Sequence, residues 1–471
     1  MKEVFYIDDT PANKISYYFM LVFLVTLPFD RLFSELALIG LLVHTVIHLQ
    51  NPLKVWAARR VGSVSGRGLN EREALPMGGK TDNFLRRPGR GLTGWPGWLT
   101  AALYGLTVVG TLWSARQGEA LKEWEKQLAF LLFPLIFYFT QLDWKKYQEP
   151  LLKAFAFSCL FTTLYLYGVA FAAIRQQALT MAALFSPPFM NHSFAAPIDL
   201  HATYFSMYIA ISLVTFVVWM LRTRGIGRWL YALASLILLA AILQLAARSV
   251  CISLLLIVNG LLPYWLMKGR TRLIFLLVAL SLTTLVFVAV IRNENLHTRY
   301  LVQLQQDLKG NVGDKDGPEP RMVRWLCAWE LIRASPWIGY GTGTEVDLLK
   351  QKYAVRQLYD SYAHDLNAHN QYLSILLKTG ILGELVFLGI LFVGFRQAGR
   401  LRDPWLGSFL VIVVWVSFSE NILDVNKGIF FFSFFLSFFL AKPGGVKPGA
   451  AKLPIFAPQY GNKNTLPLVG T

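Results

Sequence analysis

Twelve apolar runs punctuate this chain, at about 15–30, 32–50, 95–114, 127–141, 151–174, 199–221, 229–247, 250–267, 273–291, 371–395, 404–423 and 426–441. A bilayer core about 30 Å thick is crossed by a helix of about 20 apolar residues. Buried in lipid, the backbone must satisfy its own polar groups, which a helix does within one segment. The runs therefore predict an all-α polytopic membrane protein with about 12 transmembrane helices, the fourth and twelfth borrowing residues from their flanks. Residues 1–441 read as a single helical domain, with one long loop at about 292–370 inserted between the ninth and tenth spans. The Pro-, Gly- and Lys-containing tail, 442–471, reads as disordered.

Composition agrees. Charged residues make up 15% of the chain and hydrophobic ones 55%, with mean hydropathy +0.44, where a soluble domain carries about a quarter charged. The net charge of +17 is spread between the apolar runs, so topology explains it better than nucleic acid does. With the N-terminus inside, cytoplasmic segments and tails hold 26 Lys and Arg against 7 in the short outward loops. That bias puts both termini in the cytoplasm and the 292–370 loop outside. The glycine-rich stretch 51–94 holds nine of the basic residues and reads as an inside loop touching anionic lipid. The N-terminal MKEVFYIDDTPANK lacks a cleavable-signal pattern, so the first apolar run is expected to stay as a span. Cys159, Cys251 and Cys327 form no CxxC pair, so neither a disulfide framework nor a thiolate metal site is expected.

Candidate chemistry gathers on the outward side, where five of the seven histidines fall. The stretch AHNQYLSILLKTGILG, 368–383, sets His369 where the long loop re-enters an apolar run. Read as one helix, it aligns His369, Leu373, Leu376, Gly380 and Gly383 on one face, whose small residues would admit a neighbouring helix. Arg321 and Trp325 share a face in PRMVRWLCAW, with Arg324 offset, and an amphipathic surface helix with snorkelling arginines is the plainer reading. Arg248 sits in a tight turn between two apolar runs, where a charge is expensive unless it meets water or an anion. His201 opens a run with Tyr204, Phe205 and Tyr208 on one face, a place for a sugar or isoprenoid or an interfacial aromatic belt. Glu420 and Asp424 share a face at the end of the eleventh run, holding an arginine or pairing with Lys427. GDKDG, 313–317, contains D-x-D but reads as a polar turn. His44 and His48 lie one turn apart without a third ligand and read as packing.

These pieces resemble the O-antigen ligase family. The matching stretches are HATYFSMY at 201–208, AARS at 246–249, RMVRWLCAWELIRASPWIGYGTG at 321–343, AHNQYLSILLKTGILG at 368–383 and SENILDVNKGIFFFSFF at 419–435. They span the second half of the chain; the first 150 residues match only as apolar runs, and Ala202 stands where the family often has proline. The resemblance implies a GT-C-like glycosyltransferase of the bacterial inner membrane. It would transfer a glycan from undecaprenyl pyrophosphate to a sugar hydroxyl of lipid A–core at the periplasmic face, inverting the anomeric configuration. No metal or cofactor is expected. His369 matches the family's base, chemistry that suits an imidazole, while Arg248 and Arg321 match the arginines that meet the pyrophosphate. Asn370, His201, Tyr204, Trp325 and Arg324 are expected to contact substrate, and Glu420, Asp424, Gly380 and Gly383 to support the site. An O-antigen polymerase, a protein O-oligosaccharyltransferase and a glycan-lipid transporter remain open readings, the last expected to carry inverted repeats.

Overall fold

The computed structural model describes residues 4, 7–29, 31–64, 98–140, 142–309 and 319–441. Most of the basic 51–94 stretch, the GDKDG turn and the 442–471 tail therefore lie outside the described residues. Among the described residues the chain is helical and contains no strand. In order the helices are α1 (Pro11–Thr26), α2 (Arg31–Val64), α3 (Trp98–Gly110), α4 (Gln117–Gln127), α5 (Ala129–Phe139), α6 (Trp144–Gln176), α7 (Ala202–Arg222) and α8 (Ile226–Leu245). There follow α9 (Arg248–Leu266), α10 (Gly269–Arg292), α11 (Arg321–Ala334), α12 (Glu345–Arg356), α13 (Gln371–Leu401), α14 (Pro404–Ser417) and α15 (Asn426–Leu440).

Each apolar run falls on a helix, and six are long and apolar enough to cross a membrane: most of α6, then α7, α8, α9, α10 and α13. Helices α14 and α15 are 14 and 15 residues long, about 21–23 Å at 1.5 Å per residue, short of the hydrocarbon core. Helix α5 has 11 residues with Pro134 inside.

Apolarity hides two different environments. Helix α10 has the highest hydropathy of the six, yet only 11% of its apolar window is buried, against 89% for α7. Helix α15, rich in phenylalanine, is buried on nearly every side, as expected of a helix hydrophobic all round. Phe434 packs against Phe23, Phe133 and Phe137 from α1 and α5, and Ser433 satisfies its hydroxyl on the Ala129 carbonyl at 2.8 Å. The short α15 is thus the bundle's interior post.

The two helical pieces expected in the long loop are α11 and α12. With Leu358, Ala368 and Leu377 they enclose a second core around Cys327, Leu349 and Tyr353. This layer is fastened to the bundle at a break in α13, which corrects the reading of 368–383 as one continuous helix face. Gly380 leaves helical geometry (φ 63°, ψ −161°). The carbonyls freed by the break accept from the segment before α12: Tyr340 N–H donates to Leu377 at 2.8 Å and Gly341 N–H to Lys378 at 2.9 Å. On the far side Ile381 N–H donates to Pro336 at 2.9 Å. A Cβ on Gly380 would lie 2.3 Å from the Trp337 carbonyl group. The glycine therefore admits a loop, not a neighbouring helix; at Gly383 the nearest atoms belong to Thr379 of the same helix.

Candidate active site

His369 is not part of α13. It sits at φ 46°, and Asn370 behind it is the N-cap, its side chain accepting from Tyr372 N–H at 3.1 Å. An N-cap of this kind both starts the helix and satisfies one of its orphan donors. The backbone around the histidine is pinned from four directions. Trp325 Nε1 donates to the Ala368 carbonyl at 3.0 Å, and Ala368 N–H donates to Glu345 Oε1 at 3.1 Å. His369 N–H reaches Asn367 Oδ1 at 2.9 Å and Asn370 N–H reaches Asn421 Oδ1 at 2.8 Å. A non-glycine residue held at positive φ by this many partners is a local strain that the surroundings over-determine.

The imidazole meets Glu420, with Nδ1 3.4 Å from Oε2. Burial pushes the Glu420 carboxyl up, but the hydrogen bond from His369 and the positive charge of Arg321 help bring it below its ordinary value. Glu420 is then a carboxylate, and Nδ1 is the ring nitrogen that carries the proton toward it. In the neutral ring that tautomer leaves the lone pair on Nε2.

Beside this pair stand the arginines. Arg321 opens α11 and donates from Nη1 to the Ser419 carbonyl at 2.9 Å, next to Glu420. Its Nε lies 3.9 Å from Asp307 Oδ2. Arg248 opens α9 after a one-residue left-handed turn at Ala246 (φ 50°), and its Nη2 pairs with the same Asp307 oxygen. The two arginines, 73 positions apart in sequence, share one carboxylate. Arg324 is buried beside Tyr353 at the edge of the second core, close enough to feel the charges of Arg321 and Asp307.

His201 is the N-cap of α7, its Nδ1 accepting from Thr203 N–H at 3.4 Å. Its ring lies 4.1 Å from His192 and 5.5 Å from Tyr204. Burial pushes the His201 imidazole down to about 4 against the pull of Glu420, so it is neutral with its proton on Nε2. Tyr204 is buried against the start of α15, where its ring limits the space at Gly428.

Glu420 and Asp424 part company, Glu420 lying near enough to Arg321 to feel its charge. Glu420 takes His369, and Lys427 donates to the Asp199 carbonyl. Asp424 takes Lys378 Nζ at 2.6 Å, with Glu123 at 3.7 Å and Glu345 at 3.9 Å from the same ammonium. Ser374 bridges Glu345 and Asp424, and Asn421 Nδ2 donates to both acids while its Oδ1 holds Asn370. Burial pushes the Glu345 carboxyl up and moves Glu123 up to about 7. This buried network is a footing for the histidine loop. Sequence reading passed over it, although a lysine inside an apolar run was a usable signal; Asp307, Glu123 and Glu345 gave none. Among the described residues no three His, Cys, Asp or Glu side chains stand together as metal ligands. The His44 and His48 rings are 4.4 Å apart, with His44 bonded to the Ala12 carbonyl.

Together these parts set an imidazole paired with a carboxylate beside two guanidiniums that share one acid. A search of curated proteins finds no match to the chain. The family described as O-Antigen ligase matches residues 233–388, a stretch that includes Arg248, Arg321, His369 and Lys378 and stops short of Glu420 and Asp424. Across residues 233–388 the chain is thus similar to the O-antigen ligase family.

Proposed function

We propose that the protein is an O-antigen ligase, moving a glycan from undecaprenyl pyrophosphate to a sugar hydroxyl of lipid A–core at the periplasmic face of the bacterial inner membrane. Both termini are cytoplasmic in this reading. The observation that carries it is the His369–Glu420 pair, 3.4 Å apart, standing next to Arg321, which bonds the residue preceding Glu420.

The acceptor hydroxyl attacks the anomeric carbon as the bond from that carbon to the pyrophosphate oxygen breaks. The hydroxyl proton goes to Nε2 of His369, and Glu420 stabilises the imidazolium that forms. The leaving group is already a stable anion and needs positive charge rather than a proton. Arg248 and Arg321 supply it, through guanidinium forks that suit phosphate oxygens. On these terms the reaction needs no metal, and a direct displacement inverts the donor carbon. In this reading His201, neutral and donating from Nε2, meets a sugar hydroxyl, whereas the burial of Asn370, Tyr204 and Arg324 favours capping or packing roles for them.

The test is reconstitution of purified protein with lipid-linked glycan and lipid A–core in EDTA. Appearance of a higher-mass lipid A–glycan supports the ligase. Growth of the lipid-linked glycan alone indicates a polymerase, transfer to Ser or Thr of a peptide indicates a protein glycosyltransferase, and movement of the donor without new bonds indicates a transporter. Product that EDTA abolishes would overturn the metal-free step.

A further inference from the structure

The arginine cluster is larger than the pair read from the sequence. Arg299, in the π-helical turn Thr298–Val302, is partly buried and interacts with the charges of Arg248, Arg321 and Asp307. Its Nη1 donates to Gln303 Oε1 at 2.6 Å, while its Nε is buried without a hydrogen-bond partner. Nη1 of Arg248 is buried without one as well. Arg248 and Arg321 pair with one carboxylate, Asp307, and Arg299 and Arg324 both feel its charge. Arg324 lies beside Tyr353 at the second core, whereas Arg299 comes from the loop after α10. Arg248, Arg299 and Arg324 each hold a buried donor in reserve. Burying like charges together is costly unless an anion joins them.

The charge count says which anion. Arg248, Arg299, Arg321 and Asp307 sum to +2, with Arg324 set behind them beside Tyr353. Glu420, which also feels Arg321, is matched by the imidazolium that forms on His369. A glycan-bearing diphosphate diester carries two negative charges on four non-bridging oxygens, and gains a third charge on a fifth oxygen when the sugar bond breaks. With Arg248 and Arg321 alone the site would carry only +1 against it.

We propose that Arg299 is the third phosphate-binding guanidinium of this site and fits it to a diphosphate rather than a single phosphate, with Asp307 positioning Arg248 and Arg321. This rests on the reading of the cluster as the donor site. Arg248 and Arg321 hold the anion from the two bundle-facing elements, and Arg299 closes it from the loop that follows α10. Its contribution grows as the leaving group gains charge, because charge-assisted hydrogen bonds strengthen with the charge they meet.

The experiment measures binding of undecaprenyl pyrophosphate and undecaprenyl phosphate to the full-length protein in lipid nanodiscs. Wild type is expected to prefer the diphosphate by about tenfold or more, the worth of one good charge-assisted bond. Arg299→Gln should erase that preference and leave monophosphate binding nearly unchanged. Arg299→Lys, which keeps the charge, should retain part of it and shows that the site still folds. His369→Ala should keep the full preference. If R299Q keeps the preference while Arg248→Gln and Arg321→Gln lose it, the third-arginine proposal is wrong and the donor site stands. If wild type does not distinguish the two lipids, the donor-site reading falls with it.

Discussion

Replacing Lys378 by methionine removes the cation from a cluster of three buried acids and tests whether that cluster supports the histidine loop. The ammonium lies 2.6 Å from Asp424, 3.7 Å from Glu123 and 3.9 Å from Glu345. At an effective dielectric of about 20, one charge pair at 4 Å is worth about 4 kcal/mol. The three do not add, because the acids repel one another and all four groups are desolvated. The useful figure is the loss on removing one partner of a buried pair, roughly 3–5 kcal/mol. Glu123, with its carboxyl moved up to about 7, relieves part of the strain by holding a proton, so K378M should lose about 3 kcal/mol. The double variant K378M/D424N removes the charge and its nearest partner together and should recover about 2 kcal/mol of that. Denaturant titration of the wild type, both single variants and the double variant in one detergent closes the cycle. Because Glu345 holds Ala368 N–H at 3.1 Å, K378M should also slow glycan transfer at least tenfold with donor affinity unchanged. K378M as stable as wild type, or a double variant no better than the sum of the singles, would refute the footing role.

Two other outcomes follow from geometry. Gly380→Ala puts a Cβ 2.3 Å from the Trp337 carbonyl group at φ 63°, a backbone region costing an L-residue about 1–3 kcal/mol before any overlap. Little folded protein should be recovered, whereas Gly389→Ala, in open space on the same helix, should be neutral or stabilising by up to about 1 kcal/mol; equal recovery of both would contradict the account of the break. For Glu123, the folded chain holds a proton that the unfolded chain releases between pH 4.5 and about 7. Stability should therefore fall as pH rises through that window, by on the order of 3 kcal/mol at most, and Glu123→Gln should flatten the curve; a wild-type curve that rises there would contradict it.

The helices were legible because hydropathy is a local property: every apolar run lies on one, and the loop pieces around Arg321 and Glu345 fall where their patterning puts them. His369, Glu420, Arg248 and Arg321 also converge, though from segments as much as 172 positions apart. Hydropathy could not separate the buried α15 from the exposed α10, since lipid and protein interior look alike to an apolar side chain. The break at Gly380 was invisible for a related reason. The apolar period runs straight through it, and the cause lies in the Ser335–Gly341 segment that docks there. Asp307, Glu123 and Glu345 left no trace either, because their partners lie on other helices and their spacing follows no period. The family match ends at residue 388, so the pairing of Glu420 with His369 rests on the geometry and on the resemblance of the 419–435 stretch rather than on that match.

In the proposed reaction His369 takes the acceptor's proton while the arginines hold the donor. Single-turnover transfer by His369→Ala, measured beside its affinity for undecaprenyl pyrophosphate, separates the two roles. Transfer is expected to fall by at least about a hundredfold, the usual worth of a positioned base, with affinity within about twofold of wild type. Full transfer by the variant, or loss of affinity in step with loss of transfer, would contradict it.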